Sequence, residues 1–148
     1  MPCLGQFGPI PQQSGFPVLD PNGDYLKVLV ADLDNDGFQE IVTFSAVNSL
    51  DTQLVVLGHD GIAKAGWPLD TGDVRFGEVS AGDIDGDGKG DIIWRHATSG
   101  KNFIWLMNGT TIKSSYVLNT VTPSWHIVGV GDLNGDNTDD IIWRSEGG

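Results

Sequence analysis

The sequence predicts an all-β protein built from repeated units of four short antiparallel strands. Three observations predict it. Nine-residue acidic segments begin at Asp32, Asp83 and Asp132, so the chain repeats about every 50 residues. Short apolar runs alternate with Gly-, Asn- and Asp-rich turn signals. No window sustains the 3.6-residue period of a helix over helical length. A period near 50 with about four strands per unit belongs to stacked or radially arranged sheets, of which propeller blades are the leading case.

The first repeat sets the pattern. Lys27-Val28-Leu29-Val30-Ala31 is predicted to be a strand that runs into the first acidic segment, and Ile41-Val42-Thr43-Phe44-Ser45 a strand that leaves it. Gln53-Leu54-Val55-Val56-Leu57 follows, then the turn His59-Asp60-Gly61 and a strand from Ile62 through Leu69. The second repeat copies this with Ile92-Ile93-Trp94-Arg95, Phe103 through Met107, the turn Asn108-Gly109, and Thr111 through Leu118. Asp-Gly and Asn-Gly between apolar runs are strong hairpin signals when both central residues take positive φ. Ile-Ile-Trp-Arg returns at 141–144, in the slot that Ile41 to Phe44 fill in the first unit. Gly15-Phe16-Pro17 and Gly66-Trp67-Pro68 each start 17 residues before an acidic segment.

Three blade equivalents emerge from this register. Residues 20–70 and 71–119 are expected to be full blades, and 120–148 strands 1–2 of a third. Shifted by one repeat, Cys3-Leu4-Gly5-Gln6-Phe7 falls under Leu54 to Gly58, and Gln12 to Val18 under Ala63 to Leu69. Residues 1–19 are therefore expected to be strands 3–4 of a blade, against the alternative of an irregular arm. The two half-blades are complementary. Their open strands would find partners in a second copy joined head to tail, or in the rest of a longer chain.

Composition excludes several classes. The 148 residues include 20 acidic and 8 basic side chains, for a formal charge of −12. A phosphate-binding face needs basic side chains, so no nucleic-acid partner is expected. No apolar run reaches the roughly 18 residues of a membrane span. The single cysteine, Cys3, excludes an internal disulfide framework and leaves an unpaired thiol or an intermolecular bridge. The first residues show neither a basic n-region nor an apolar h-region, so no signal peptide is visible.

The acidic segments have the chemistry of metal loops. A hard cation such as Ca²⁺ takes six to eight oxygens. Side chains at loop positions 1, 3 and 5, a carbonyl at 7 and a carboxylate at 9 supply such a shell. These are Asp32, Asp34, Asp36, the Phe38 carbonyl and Glu40; then Asp83, Asp85, Asp87, the Lys89 carbonyl and Asp91; then Asp132, Asn134, Asp136, the Thr138 carbonyl and Asp140. Gly37, Gly88 and Asn137 fill the sixth position, where positive φ is expected. Position 12 holds Thr43, Trp94 and Trp143 rather than glutamate, and strands flank each loop, so none is an EF-hand. Unneutralised, four carboxylates around one loop would raise one another's pKa values; three Ca²⁺ would bring the charge from −12 to −6. Up to three structural calcium ions are expected, the third more weakly held because Asn134 replaces a carboxylate. The alternative is three solvated acidic turns.

The repeated Asp-x-Asp-x-Asp-Gly-x-x-Asp/Glu loops between strands resemble the FG-GAP/VCBS repeats of integrin α-like β-propellers. Gly-Trp-Pro and the run Trp125 to Asp132 resemble bacterial members. The resemblance implies seven-bladed propellers, calcium in blade loops, and extracellular or cell-surface roles in adhesion, ligand binding or sugar recognition. Calcium is millimolar outside cells, where sites of about 10⁻⁴–10⁻³ M affinity would fill.

Other residues are less informative. Trp94 and Trp143 occupy equal repeat positions, which indicates packing between blades; Trp67, Trp105 and Trp125 complete the candidates for sugar-stacking platforms. Arg95 and Arg144 are expected to meet a neighbouring carboxylate. His59, His96 and His126 show no metal-ligand spacing and no nucleophile motif, so no enzymatic activity is expected. The leading expectation is a non-enzymatic, calcium-stabilised module for extracellular binding or adhesion of a protein or glycan. The alternatives are a subunit that self-assembles into a ring or filament, and a fragment of a propeller lectin or larger enzyme.

Overall fold

The computed structural model describes residues 28–46, 52–71, 78–96 and 99–147. Among these residues there are strands and no helix, hence no helix long and apolar enough to cross a membrane. The expected strands at residues 3–7 and 12–18, Gly15-Phe16-Pro17 and Cys3 lie outside the described residues.

The first sheet runs β1 (Val28–Ala31), β2 (Glu40–Ala46), β3 (Thr52–Leu57) and β4 (Leu69–Asp70), in that spatial order. The second repeats it with β5 (Val79–Gly82), β6 (Asp91–Arg95), β7 (Asn102–Asn108) and β8 (Thr111–Leu118). The third contains β9 (Trp125–Gly131) and β10 (Asp140–Ser145). Every pairing is antiparallel between consecutive strands. β1 lies against β5 and β5 against β9, so the first strands of successive sheets adjoin. This is the arrangement of partial propeller blades.

The second sheet is buried on both faces, which explains the continuous apolar run Ile92-Ile93-Trp94. Ile92, Trp94, Trp105 and Met107 face the first sheet and pack with Val42, Phe44, Leu54 and Val56. Ile93 and Ile104, half a pleat away, pack with Ile127, Val130, Ile141 and Trp143 of the third. Trp94 stacks on Phe103 at 4.0 Å and meets Trp105 edge-on at 5.4 Å, so its repeat position is a packing position.

Three expectations are corrected. The strand from Ile62 through Leu69 shrinks to a bridge between Leu57 and Ala63 and the two-residue β4. Gly66 has φ +90° and Pro68 has no N–H to donate, which interrupts the pairing. In the β7–β8 hairpin Asn108 pairs with Thr111, so the central residues are Gly109 and Thr110, and of the expected Asn-Gly pair only Gly109 has positive φ (64°). Among the described residues Arg95 meets no carboxylate. It is buried and donates to Asn102 Oδ1 at 2.9 Å and to the Val121 and Thr122 carbonyls at 2.8 Å. Its guanidinium also lies over the Trp143 ring, 5.3 Å from the centroid. Arg95 thus ties the second sheet to the segment that enters the third.

A second tie is titratable. Glu78 accepts from the Ile127 N–H at 2.6 Å and contacts His126 Nδ1 at 2.5 Å; His126 Nε2 is 2.9 Å from Glu146. Glu78, then Glu146, raises the His126 pKa above its ordinary 6.5. The folded state therefore holds that proton more tightly than the unfolded chain. The resulting stability is complete below pH ~6.5 and is lost as pH rises through the raised folded value. The melting temperature should fall across that window, and His126→Gln should flatten the profile.

Candidate metal centres

Each acidic loop connects the first strand of a sheet to the second, and all three are built alike. The position-1 carboxylate caps the loop. Asp32 accepts from Asp36 N and Gly37 N at 3.2 and 3.0 Å, Asp83 from Asp87 N and Gly88 N at 3.0 and 2.9 Å, and Asp132 from Asp136 N and Asn137 N at 3.3 and 3.0 Å. The position-5 carboxylate accepts from the N–H of position 7: Phe38 to Asp36 at 2.7 Å, Lys89 to Asp87 at 3.1 Å, Thr138 to Asp136 at 2.9 Å. The position-9 carboxylate reaches back to the N–H of position 2: Leu33 to Glu40 at 3.1 Å, Ile84 to Asp91 at 2.9 Å, Leu133 to Asp140 at 3.2 Å.

Positive φ appears at position 6 as expected, in Gly37, Gly88 and Asn137 (87°, 83° and 67°). It appears equally at position 4, in Asn35, Gly86 and Gly135 (58°, 75° and 80°). The sequence carried that signal: Asn, Gly and Gly are the residue types that tolerate this region.

The first two loops bring their oxygens together. One carboxylate oxygen each from Asp32, Asp34 and Glu40 lie within 4.8 Å of one another, as do those of Asp83, Asp85 and Asp91. Asp36 and Asp87, at position 5, fall outside these triplets, although Lys113 Nζ reaches Asp85 Oδ2 at 3.0 Å and Asp87 Oδ2 at 3.6 Å, which places the two carboxylates side by side. Glu40 and Asp91 are fully buried. Burial pushes the Asp91 carboxyl up, while hydrogen bonds from Met107 N (2.8 Å) and Ile84 N oppose the shift. Asp34 Oδ1 is buried and has no hydrogen-bond donor among the described residues.

The third loop is satisfied internally. Asn134 Nδ2 donates to Asp136 Oδ2 at 3.0 Å, and Asn134 Oδ1 accepts from Asp136 N at 2.9 Å. Thr138 Oγ1 adds a bond to Asp136 Oδ1 at 2.5 Å. Backbone N–H groups led by Asn137 hold the Asp132 carboxyl below the ordinary carboxylate range, and Thr138 does the same for Asp136. Among the described residues Asp132, Asp136 and Asp140 form no acidic triplet like those of the first two loops.

Lysines missed in the sequence complete the first two centres. Lys64 Nζ lies 3.1 Å from Glu40 Oε1 and 3.8 Å from Asp34 Oδ2, and Lys113 stands over Asp85 and Asp87. The two are 49 residues apart, close to the 51 that separate Asp32 from Asp83. Each ammonium is held above its ordinary pKa, by Glu40 first for Lys64 and by Asp85 first for Lys113. They act as tethered counter-charges to the carboxylates.

The tryptophans offer little sugar-binding surface. Trp67, Trp94 and Trp105 are buried, Trp143 is half-buried beneath Arg95, and Trp125 is exposed.

Antiparallel sheets laid side by side, each with an oxygen-rich loop between its first two strands, define a β-propeller-type repeat module. Residues 83–143 match the family model described as FG-GAP-like repeat. The matched segment contains the second and third loops with β6 to β9 and most of β10, and the first sheet shares the four-strand order of the second. No curated protein and no solved structure matches the chain.

Proposed function

We propose that the chain is a non-enzymatic, calcium-stabilised propeller-type module for binding or adhesion outside the cell, with a protein or glycan as ligand. The observation that carries the calcium reading is the convergence of Asp32, Asp34 and Glu40, and of Asp83, Asp85 and Asp91. The donor set fits: hard oxygens, two of the carboxylates fully buried, and a buried Asp34 oxygen lacking a donor. In the first loop Asp32, Asp34, Asp36, the Phe38 carbonyl and Glu40 would hold the ion. Their counterparts in the second are Asp83, Asp85, Asp87, the Lys89 carbonyl and Asp91. Asp132, Asn134, Asp136, the Thr138 carbonyl and Asp140 form a weaker third set. Bound calcium supplies positive charge that neutralises these carboxylates and ties each first strand to its second. A site at tenfold excess of ion over Kd adds about 1.4 kcal/mol of stability. Thermal melts in calcium and in chelator test this: the melting temperature should rise with calcium, and equal values would refute it.

The lysines sharpen the test. A cation entering the second loop displaces the Lys113 ammonium from Asp85 and Asp87. One unit charge about 4 Å away costs on the order of 1 kcal/mol in water. Lys113→Met should therefore tighten calcium binding about fivefold by calorimetric titration, and Lys64→Met should do so at the first loop.

A second reading is self-assembly through complementary half-blades. Among the described residues β10 pairs with β9 alone, whereas β2 and β6 each pair on both sides. The outer edge of β10 would take a strand from another copy, or from the rest of a longer chain.

A further inference from the structure

We propose that Asp139 couples the second and third metal centres: from the third sheet it positions Asp83, so that filling either loop tightens the other, while the first loop binds on its own. This rests on the calcium reading proposed above and adds to it a residue outside the three donor sets.

The coupling element is a two-bond clamp between loops. Asp139, at position 8 of the third loop, donates its N–H to the Asp83 carbonyl at 2.7 Å, and its Oδ2 accepts from Asp83 N at 2.8 Å. The N–H and the carbonyl of Asp83 are thus both held from the neighbouring sheet. Asp83 is position 1 of the second loop. Its carboxylate caps that loop through Asp87 N and Gly88 N, and it belongs to the triplet with Asp85 and Asp91. Asp139 in turn lies between Thr138 and Asp140, positions 7 and 9 of its own loop. The two loops also touch at Gly86, where a Cβ would stand 3.3 Å from the Asn137 carbonyl oxygen and from Thr138 Cγ2.

The junction is fitted to this one side chain. Gly82 precedes Asp83 and pairs with Asp91, and a Cβ there would overlap Asp139 Oδ2 and the Val130 side chain. In the first sheet the matching residue is Ala31, paired with Glu40. There the second loop approaches with Gly90, whose absent Cβ would stand 3.2 Å from the Asp32 carbonyl oxygen. A glycine opposite an aspartate at one junction thus replaces an alanine and a glycine at the other. Gly90 has no side chain to reach Asp32 N, so the first loop lacks this clamp.

An unheld Asp83 backbone would have to be ordered when the loop fills, whereas the clamp orders it beforehand. Linkage makes the effect mutual: the factor by which filling the second loop tightens the third equals the factor in the other direction.

Calcium titration of the isotope-labelled full chain, followed by the amide resonances of Gly37, Gly88 and Gly135, tests the proposal. Each of these N–H groups donates to the position-1 carboxylate of its own loop. Asp139→Ala should raise the calcium midpoint at Gly88 about tenfold and move the one at Gly37 by less than about twofold. Asp139→Asn keeps an oxygen acceptor and the N–H, and should stay within about twofold of wild type at both. Asp85→Asn, which removes binding at the second loop and leaves the clamp residues intact, should raise the Gly135 midpoint about fivefold. An unmoved Gly88 midpoint in Asp139→Ala, equal losses in the alanine and asparagine variants, or a Gly135 midpoint indifferent to Asp85→Asn would overturn the coupling. So would a Gly37 midpoint that shifts together with Gly88. With Gly37 and Gly88 still responding to calcium in wild type, each of these results leaves the calcium reading standing. No response at any of the three glycines would overturn both.

Discussion

Leu33→Ala is expected to destabilise the chain by about 3 kcal/mol, whereas Leu133→Ala, measured on dilute protein, changes it by less than about 0.5 kcal/mol. The two leucines share one loop position and one sequence context, so local propensity cannot separate them. Burial does. Leu33 is fully enclosed among Val42, Phe44, Ile92 and their neighbours, and truncation leaves a cavity between two sheets. Leu133 is 70% exposed and leaves none. Urea denaturation of the two variants provides the comparison; equal losses would contradict the assigned packing.

Arg95→Leu carries a similar penalty by a different route, about 3 kcal/mol. The guanidinium serves Asn102 Oδ1 and the Val121 and Thr122 carbonyls, and an apolar side chain leaves all three acceptors without that donor, at roughly 1 kcal/mol or more each. Asn102 is itself fully buried and donates to the Gly100 and Asn119 carbonyls, so the loss falls within a connected network. Arg95→Lys should recover only part of it, because a single ammonium does not reproduce the planar fork. Chemical denaturation of both variants checks the order: wild type, then lysine, then leucine.

What the sequence disclosed follows from how tightly each feature constrains residue type. The loops were legible because oxygen donors alternate at fixed positions and position 6 admits only Gly or Asn without strain. The same constraint at Asn35, Gly86 and Gly135 was available to be read. Strand order within a sheet followed from short hairpins between consecutive apolar runs. The partner of Arg95 was not legible, since the Val121 and Thr122 carbonyls arrive from 26 and 27 residues away by the path of a loop rather than by repeat register. Lys64 and Lys113 lie two residues off the 51-residue spacing of their loops, and periodicity does not say where a long flexible side chain points. Residues 62–69 have the apolar content of a strand, and Gly66 and Pro68 overrule it through the backbone.

The tethered lysines also bear on the ionic balance of the molecule. Each full sheet brings one ammonium to its own loop, while Asn134 spares the third loop a carboxylate. Carboxylate clusters are therefore partly compensated by the chain's own ammonium groups, which under the proposed calcium reading would weaken each site toward the millimolar range.

The most direct test of the central claim is calorimetric titration of calcium into chelator-treated chain, alongside Asp34→Asn and Asp85→Asn. The first two loops should bind, the third more weakly, and each substitution should remove binding at its own loop while leaving the other intact. No heat of binding, with a melting temperature indifferent to calcium, would contradict the claim.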